Sequence, residues 1–331
     1  MLMPVSLLMY DKARERIGDR LSALSLDLTF RTFDKSGKVL VDGKATPPGE
    51  VAMDYVWLSS DINVDKFQEG AFELCLALKS AKVLQTFNAG LDHPFYKRMA
   101  SKGTLISNSS AQAVAISEYV MGQVLAVMQP IEEQRRLQAE KKWKVTPYRE
   151  ISGTNWMIVG FGPIGNEIAK RAKVFGARTV VIRRSPETSA IVDEAGTLTD
   201  LPRLAPDADV VVLACPLNAE TRGFAGRDFF AALKPGAMIV NIARGALIDD
   251  AAMVAALDDG RLAAAILDVF HEEPLPEDNP LWVHPKIRIT SHTSFAGSGV
   301  RGRWDQLFLE NIGRFARGER LVNEVNPRDL V

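Results

Sequence analysis

Short apolar runs and longer amphipathic stretches alternate along nearly the whole chain, the pattern of strands joined by crossover helices. In the first third, residues 4–10, 27–32, 54–58, 82–87 and 104–107 read as strands, and 61–78 has helical periodicity. Asp34-Lys35-Ser36-Gly37-Lys38 and Asp42-Gly43 read as turns in a small surface excursion. Residues 111–142 make one long, mostly helical stretch, apolar up to Met128 and charged from Glu132 onward. Such a helix links two domains, packs against a second subunit, or is an ordinary crossover helix with a polar extension.

A second alternating series starts at Asn155, with strands expected at 156–159, 178–182, 210–214, 237–242, 263–269 and 286–290. That is enough for two mononucleotide-binding halves. Residues 299–317 then form an amphipathic helix, and 323–331 a tail. Continuous alternation predicts a parallel α/β fold, and 331 residues are long for one compact core. A nucleotide-binding series that begins mid-chain and leaves a helix over predicts an insertion. The first domain is expected at 1–106 and 294–331, with the second, 107–293, inserted into it.

Composition narrows the partners. The chain is 47% apolar and 24% charged, ordinary for a globular protein. A formal net charge of −1 gives no general attraction to nucleic acid or an anionic membrane, so any anion must be held by a local site. Cys75 and Cys215 lie far apart in no metal or redox pattern; as small buried hydrophobes they fit a reducing cytoplasm. No apolar run approaches bilayer length, and the first ten residues, lacking a basic leader, read as a buried strand.

The chemistry begins at Gly160-Phe161-Gly162-Pro163-Ile164-Gly165. A G-x-G-x-x-G run is weak evidence by itself, but here a strand leads into it and a helical pattern follows, ending at Gly176. Gly160 allows the tight turn, Gly162 lets the backbone approach a pyrophosphate, and Gly165 allows close helix–strand packing. The next strand sets the cofactor. An NAD-selective site ends it with Asp or Glu on the ribose 2′-hydroxyl. This one ends Arg183-Arg184-Ser185, two guanidinium groups and a hydroxyl suited to a 2′-phosphate. NADP(H) is therefore expected as the preferred cofactor, with NAD(H) as the alternative.

Three polar residues follow successive later strands, where ligands of open α/β sheets bind: Arg244, Glu273 and His292. Each alone has a plain explanation as a surface arginine, a loop carboxylate and a hydrogen-bonded histidine. Together they supply an anion clamp, a proton donor and a carboxylate to tune it.

With Asn241-Ile242-Ala243-Arg244-Gly245, Leu267-Asp268-Val269-Phe270-His271-Glu272-Glu273-Pro274 and Ser291-His292-Thr293, the chain resembles the D-isomer-specific 2-hydroxyacid dehydrogenase family. The glycine run and Cys215-Pro216-Leu217 with Glu220-Thr221 match as well; Asn88-Ala89-Gly90-Leu91-Asp92-His93 and Glu118 fall where substrate-domain signatures would. The resemblance implies a Rossmann domain inserted into a flavodoxin-like substrate domain, a homodimer, and reversible reduction of a 2-oxo acid such as glyoxylate or hydroxypyruvate. Arg244 would clamp the substrate carboxylate, aided by backbone N–H groups at Ala89, Gly90 and Leu91. His292 would protonate the carbonyl oxygen, oriented by Glu273, and Asp268 would anchor the nicotinamide carboxamide. Cys215, Pro216, Thr221, Ile242 and Ala243 would line the cofactor site. Trp57 either covers a small substrate, as in glyoxylate reductases of the family, or is core packing. Two departures stand out: Ser291 replaces the proline many relatives have before the histidine, and Arg183 replaces the ribose-binding acid. A formate- or phosphite-type dehydrogenase is the alternative enzyme, although Glu273 stands where formate dehydrogenases have glutamine. A dinucleotide-sensing corepressor is the alternative outside enzymes.

Overall fold

The computed structural model describes residues 3–327 and Leu330; Arg328, Asp329 and Val331 of the expected tail lie outside the described residues. The chain divides into two compact units, Met1–Gln112 with Ser298–Val331, and Ala113–Gly297.

In chain order the first unit contains β1 (Val5–Tyr10), α1 (Asp11–Ser22), β2 (Leu28–Phe33), β3 (Val39–Val41), β4 (Lys44–Thr46) and β5 (Ala52–Leu58). There follow α2 (Asp61–Val64), α3 (Gln68–Ala77), β6 (Ser80–Thr86), α4 (Pro94–Ser101) and β7 (Leu105–Ser107). The sheet order is β4-β3-β2-β1-β5-β6-β7. From β2 to β7 every pairing is parallel, the doubly wound order of flavodoxin-like sheets.

The second unit contains α5 (Ala113–Met128), α6 (Ile131–Ala139), β8 (Asn155–Val159), α7 (Pro163–Val174), β9 (Arg178–Ile182) and β10 (Glu194–Gly196). It continues with α8 (Leu201–Leu204), β11 (Val210–Leu213), α9 (Arg227–Ala232), β12 (Ala237–Asn241), α10 (Asp250–Asp258), β13 (Leu262–Leu267) and β14 (Ile287–Ile289). All seven strands are parallel in the order β10-β9-β8-β11-β12-β13-β14, so the winding reverses between β8 and β11. Val210, Val211, Val212 and Leu213 are fully buried, as a strand covered on both faces requires. The last helix, α11 (Val300–Ala316), returns to the first unit and seats Phe308, Ile312 and Ala316 in its core at helical spacing.

Three local features differ from the sequence reading. The stretch 111–142 is two helices bent by 58° rather than one. Pro130 lies at the break, where it lacks an N–H and crowds the preceding turn. The surface excursion carries a hairpin: Asp42 and Gly43 both take positive φ, joining two three-residue strands by a tight turn. The strand β10 was also missed, being three residues long. The tail is bound where described, with Val325 donating to the Ile106 carbonyl at 2.9 Å and Glu324 bridging to Ser107.

The helix α7 packs so closely under β8 that a Cβ on Gly165 would lie deep inside contact of the Gly160 carbonyl oxygen, whereas one on Gly162 would meet nothing within 4 Å. Gly165→Ala should therefore lose about 1–3 kcal/mol of stability by overpacking. Gly162→Ala should stay within about 0.5 kcal/mol. Urea unfolding of the two variants checks this, and equal losses would refute the packing argument.

Candidate active site

The glycine turn sits at the point where the strand order reverses. Gly160 takes φ +99°, its N–H donates to the Ile182 carbonyl at 2.8 Å, and a Cβ on it would lie 2.5 Å from the Ala214 oxygen. The ends of β8 and β11 thus meet backbone to backbone. Gly162 is the exposed N-cap of α7, with Pro163 opening the helix. The free N–H groups of that first turn and the helix dipole make an anion site. Phe161 and Ile164 are half-buried beside it. At the end of β9 the guanidinium of Arg183 lies 5.6 Å from the Phe161 ring centroid, and Arg184 and Ser185 are exposed.

After β11, Cys215 is buried, and burial pushes its thiol up to about 12, so it lines the site as a neutral group. Pro216 is exposed, and its carbonyl accepts from the hydroxyl of Thr221 at 2.8 Å. Thr221 also accepts from the Asn218 N–H at 2.8 Å, which closes this loop on itself.

The next three strand ends are tied together. After β12, Ile242 and Ala243 are buried; Asn241 accepts from the Ala243 N–H at 3.1 Å and donates to the Arg244 carbonyl at 2.8 Å. Arg244 is half-buried, its Nη1 donating to the Ala243 carbonyl at 2.6 Å. Gly245 lies against the Phe270–His271 peptide with no room for a Cβ. The Phe270 N–H donates to Glu273 Oε1 at 2.9 Å, and Glu273 Oε2 lies 2.7 Å from His292 Nδ1. With Nδ1 committed to Glu273, the exposed imidazole presents Nε2 outward.

Asp268 is fully enclosed. Its Oδ1 accepts from Thr290 Oγ1 at 2.6 Å and the Thr293 N–H at 2.8 Å, and its Oδ2 from the Ser294 N–H at 3.0 Å. Its backbone accepts from the His292 N–H at 2.8 Å and donates to the Asn241 carbonyl at 3.0 Å. The structure therefore places Asp268 first as the anchor of the His292 loop. The other histidines do local structural work: His93 caps α4, His271 meets the Ile248 carbonyl, and His284 accepts from the Lys286 N–H.

In the first unit, the loop after β6 holds Ala89, Gly90 and Leu91, all half-buried. Its carbonyls are drawn inward: Gln112 donates to Phe87 at 2.6 Å, the Ser109 N–H to Asn88 at 2.9 Å and Asn108 to Ala89 at 2.7 Å. Among the described residues, the N–H groups of Ala89, Gly90 and Leu91 donate to none. Successive unused N–H groups form an anion-binding concavity. Trp57 is 2% exposed and stacks flat on Phe308 at 3.9 Å, so of its two readings the geometry gives core packing.

Sequence reasoning did not single out Asn108, Gln112, Tyr119 and Thr290, whose side chains hydrogen-bond to Ala89, Phe87, Thr290 and Asp268 respectively. No group of three metal-ligating side chains occurs among the described residues, and no single described helix is long and apolar enough to cross a membrane. A hollow of about 750 Å³ lies at the opposite, N-terminal ends of the central strands β8, β11 and β12, beside Tyr148, Arg149, Asp209 and Lys234, away from this chemistry.

Comparison with known proteins agrees with the geometry. Residues 121–294 match the family model described as D-isomer specific 2-hydroxyacid dehydrogenase, NAD binding domain. A D-3-phosphoglycerate dehydrogenase from Methanocaldococcus jannaschii is 33% identical over 75% of this chain, which spans only 48% of that longer protein. A glyoxylate reductase from Korarchaeum cryptofilum is 30% identical over 77% of the chain and 79% of its own length. A crystal structure of a D-isomer specific 2-hydroxyacid dehydrogenase from Xanthobacter autotrophicus Py2, in complex with NADPH and MES, superposes with a TM-score of 0.78. It is 27% identical and covers 98% of this chain and 99% of its own. The chain belongs to the D-isomer-specific 2-hydroxyacid dehydrogenases, a family of NAD(P)-dependent oxidoreductases.

Proposed function

We propose that this protein uses NADPH to reduce a small 2-oxo acid of the glyoxylate or hydroxypyruvate type to the D-2-hydroxy acid, with His292 as proton donor. The observation that carries this reading is the Glu273–His292 pair, 2.7 Å apart at adjacent strand ends, with one imidazole nitrogen left for substrate. The bound dinucleotide supplies the hydride. His292 then gives its Nε2 proton to the carbonyl oxygen as negative charge develops there. Glu273 holds the ring in the orientation and tautomer that make this transfer direct. Arg244 pairs with the substrate carboxylate and polarises the carbonyl, and the unused N–H groups of Ala89, Gly90 and Leu91 suit a carboxylate as well. Asp268 has Oδ2, with a single donor among the described residues, left for the carboxamide.

The D-stereochemistry rests on the family. The small substrate is supported by the glyoxylate reductase relative. NADPH is supported by Arg183 and Arg184 in place of the ribose-binding acid, and by the NADPH-bound Xanthobacter relative. NAD(H) is expected to serve less well. The boundaries 1–106, 107–293 and 294–331 remain our division into substrate and nucleotide domains. Fully exposed Trp143, with Val145 and Tyr148 on the same segment, supports a homodimer. Two free cysteines, both buried, suit the cytoplasm.

Three outcomes follow from these assignments. Joint Arg183→Ala and Arg184→Ala substitution should cut the NADPH-over-NADH ratio of kcat/KM by about 100-fold, through loss of charge-assisted bonds to the 2′-phosphate. An unchanged ratio refutes the assignment. His292→Asn should lower kcat for glyoxylate reduction by a factor of about 100 or more while NADPH still binds, measured by steady-state kinetics and fluorescence titration. Wild-type turnover in that variant would remove His292 from its role. Trp143→Asp should shift sedimentation from dimer to monomer, and a monomeric wild type would end the dimer proposal.

A further inference from the structure

A chain of hydroxyl groups runs from a helix to the loop that carries His292. Tyr119 lies on α5, with its hydroxyl 2.6 Å from Thr290 Oγ1. Thr290 Oγ1 in turn lies 2.6 Å from Asp268 Oδ1. The direction of the chain is fixed by proton count. A carboxylate only accepts, so the single Thr290 proton goes to Asp268 and Tyr119 must donate to Thr290. Burial pushes the Tyr119 phenol up to about 12, against the Thr290 hydrogen bond and together with the nearby Asp268 charge, so the donor keeps its proton across the neutral range. Successive donors of this kind polarise one another.

The chain ends on the proposed proton donor. The Asp268 carbonyl accepts from the His292 N–H at 2.8 Å, and its Oδ1 also takes the Thr293 N–H at 2.8 Å. His292 has φ +46°, the left-handed region, which is sterically unfavourable for a non-glycine residue. Such a conformation persists only where the surroundings over-determine it. Glu273 fixes the ring through Nδ1, and Asp268 fixes the backbone beneath it. Tyr119 and Thr290 are what hold the Asp268 carboxylate from the helix side.

We infer that Tyr119, acting through Thr290 and Asp268, is a positioning residue for His292: its hydroxyl holds the strained loop in the conformation that aims Nε2 at substrate. This rests on the reading of His292 as proton donor. Tyr119 contributes no contact to substrate or cofactor in this scheme, so its loss should be felt in turnover and not in binding.

The test uses the whole chain and five variants: Tyr119→Phe, Thr290→Val, their double, Thr290→Ser and His292→Ala. Glyoxylate reduction, the NADPH dissociation constant and the melting temperature are measured for each. Tyr119→Phe and Thr290→Val should lower kcat roughly 5–50-fold, the scale of a mispositioned acid. KM and the NADPH dissociation constant should stay within about twofold, as expected when only the transition state is affected. Thr290→Ser keeps the hydroxyl and should retain wild-type turnover. The double variant Tyr119→Phe/Thr290→Val should be no slower than Thr290→Val alone, because the two act in series. Unchanged kcat in Tyr119→Phe with inactive His292→Ala would overturn the positioning role alone. Additive losses, or a fall in melting temperature with turnover intact, would overturn it too. Wild-type turnover in His292→Ala would instead overturn the underlying reading of the donor.

Discussion

Backbone meets backbone where β8 and β11 diverge, and the nucleotide unit depends on that contact. A parallel sheet buried on both faces can display polar groups only at its strand ends. At the reversal point two of those ends must come close enough to share one ligand. Gly160 achieves this with a positive φ and no Cβ to strike Ala214, and Gly165 then lets α7 lie directly behind the turn. The exposed Gly162 and Pro163 at the start of α7 and the buried Cys215 after β11 lie near each other for this reason.

The other strand ends are linked by hydrogen bonds rather than by bulk. Asn241 folds the Arg244 loop and shares its own carbonyl with the Asp268 N–H. Gly245 lets that loop rest on the Phe270–His271 peptide; the N–H of Phe270 fixes Glu273, Glu273 fixes His292, and His292 returns to the Asp268 carbonyl. The circuit closes on itself across three consecutive strands. Glu273 and His292 are exposed and Arg244 is half-buried, while Asn241 and Asp268, which hold their loops, are enclosed.

The alternation of apolar runs was enough to place most of the strands and the long helices, since buried parallel strands read as continuous hydrophobic segments. Three of the three-residue strands escaped, β3, β4 and β10, whereas β7 and β14, just as short, were placed; the Asp42-Gly43 turn was visible while the strands it joins were not. Pro130 lies between two runs of helix formers, and the sequence reading carried 111–142 across it as one helical stretch. For the site, the residues legible in the sequence were those whose types carry chemistry: Arg183, Arg244, Glu273 and His292. Tyr119 and Thr290, whose hydroxyls bond within the fold, were not. Tyr119 looks like one more half-apolar position on α5, and Asp268 was read only through the family resemblance, as the carboxamide anchor; its bonds to the His292 loop show in the structure alone.

Arg183 and Arg184 lie beyond the last paired residue of β9, Arg183 half-buried and Arg184 exposed. On the proposed assignment, the choice of electron source would rest on residues outside the pairing of the sheet and apart from the bonds that hold His292. A lineage carrying this scaffold would then change nicotinamide pools through substitutions at one strand end, without altering the proton-transfer residues. The hydroxyl chain beneath His292 offers no comparable freedom, since every member of it is committed to a neighbour.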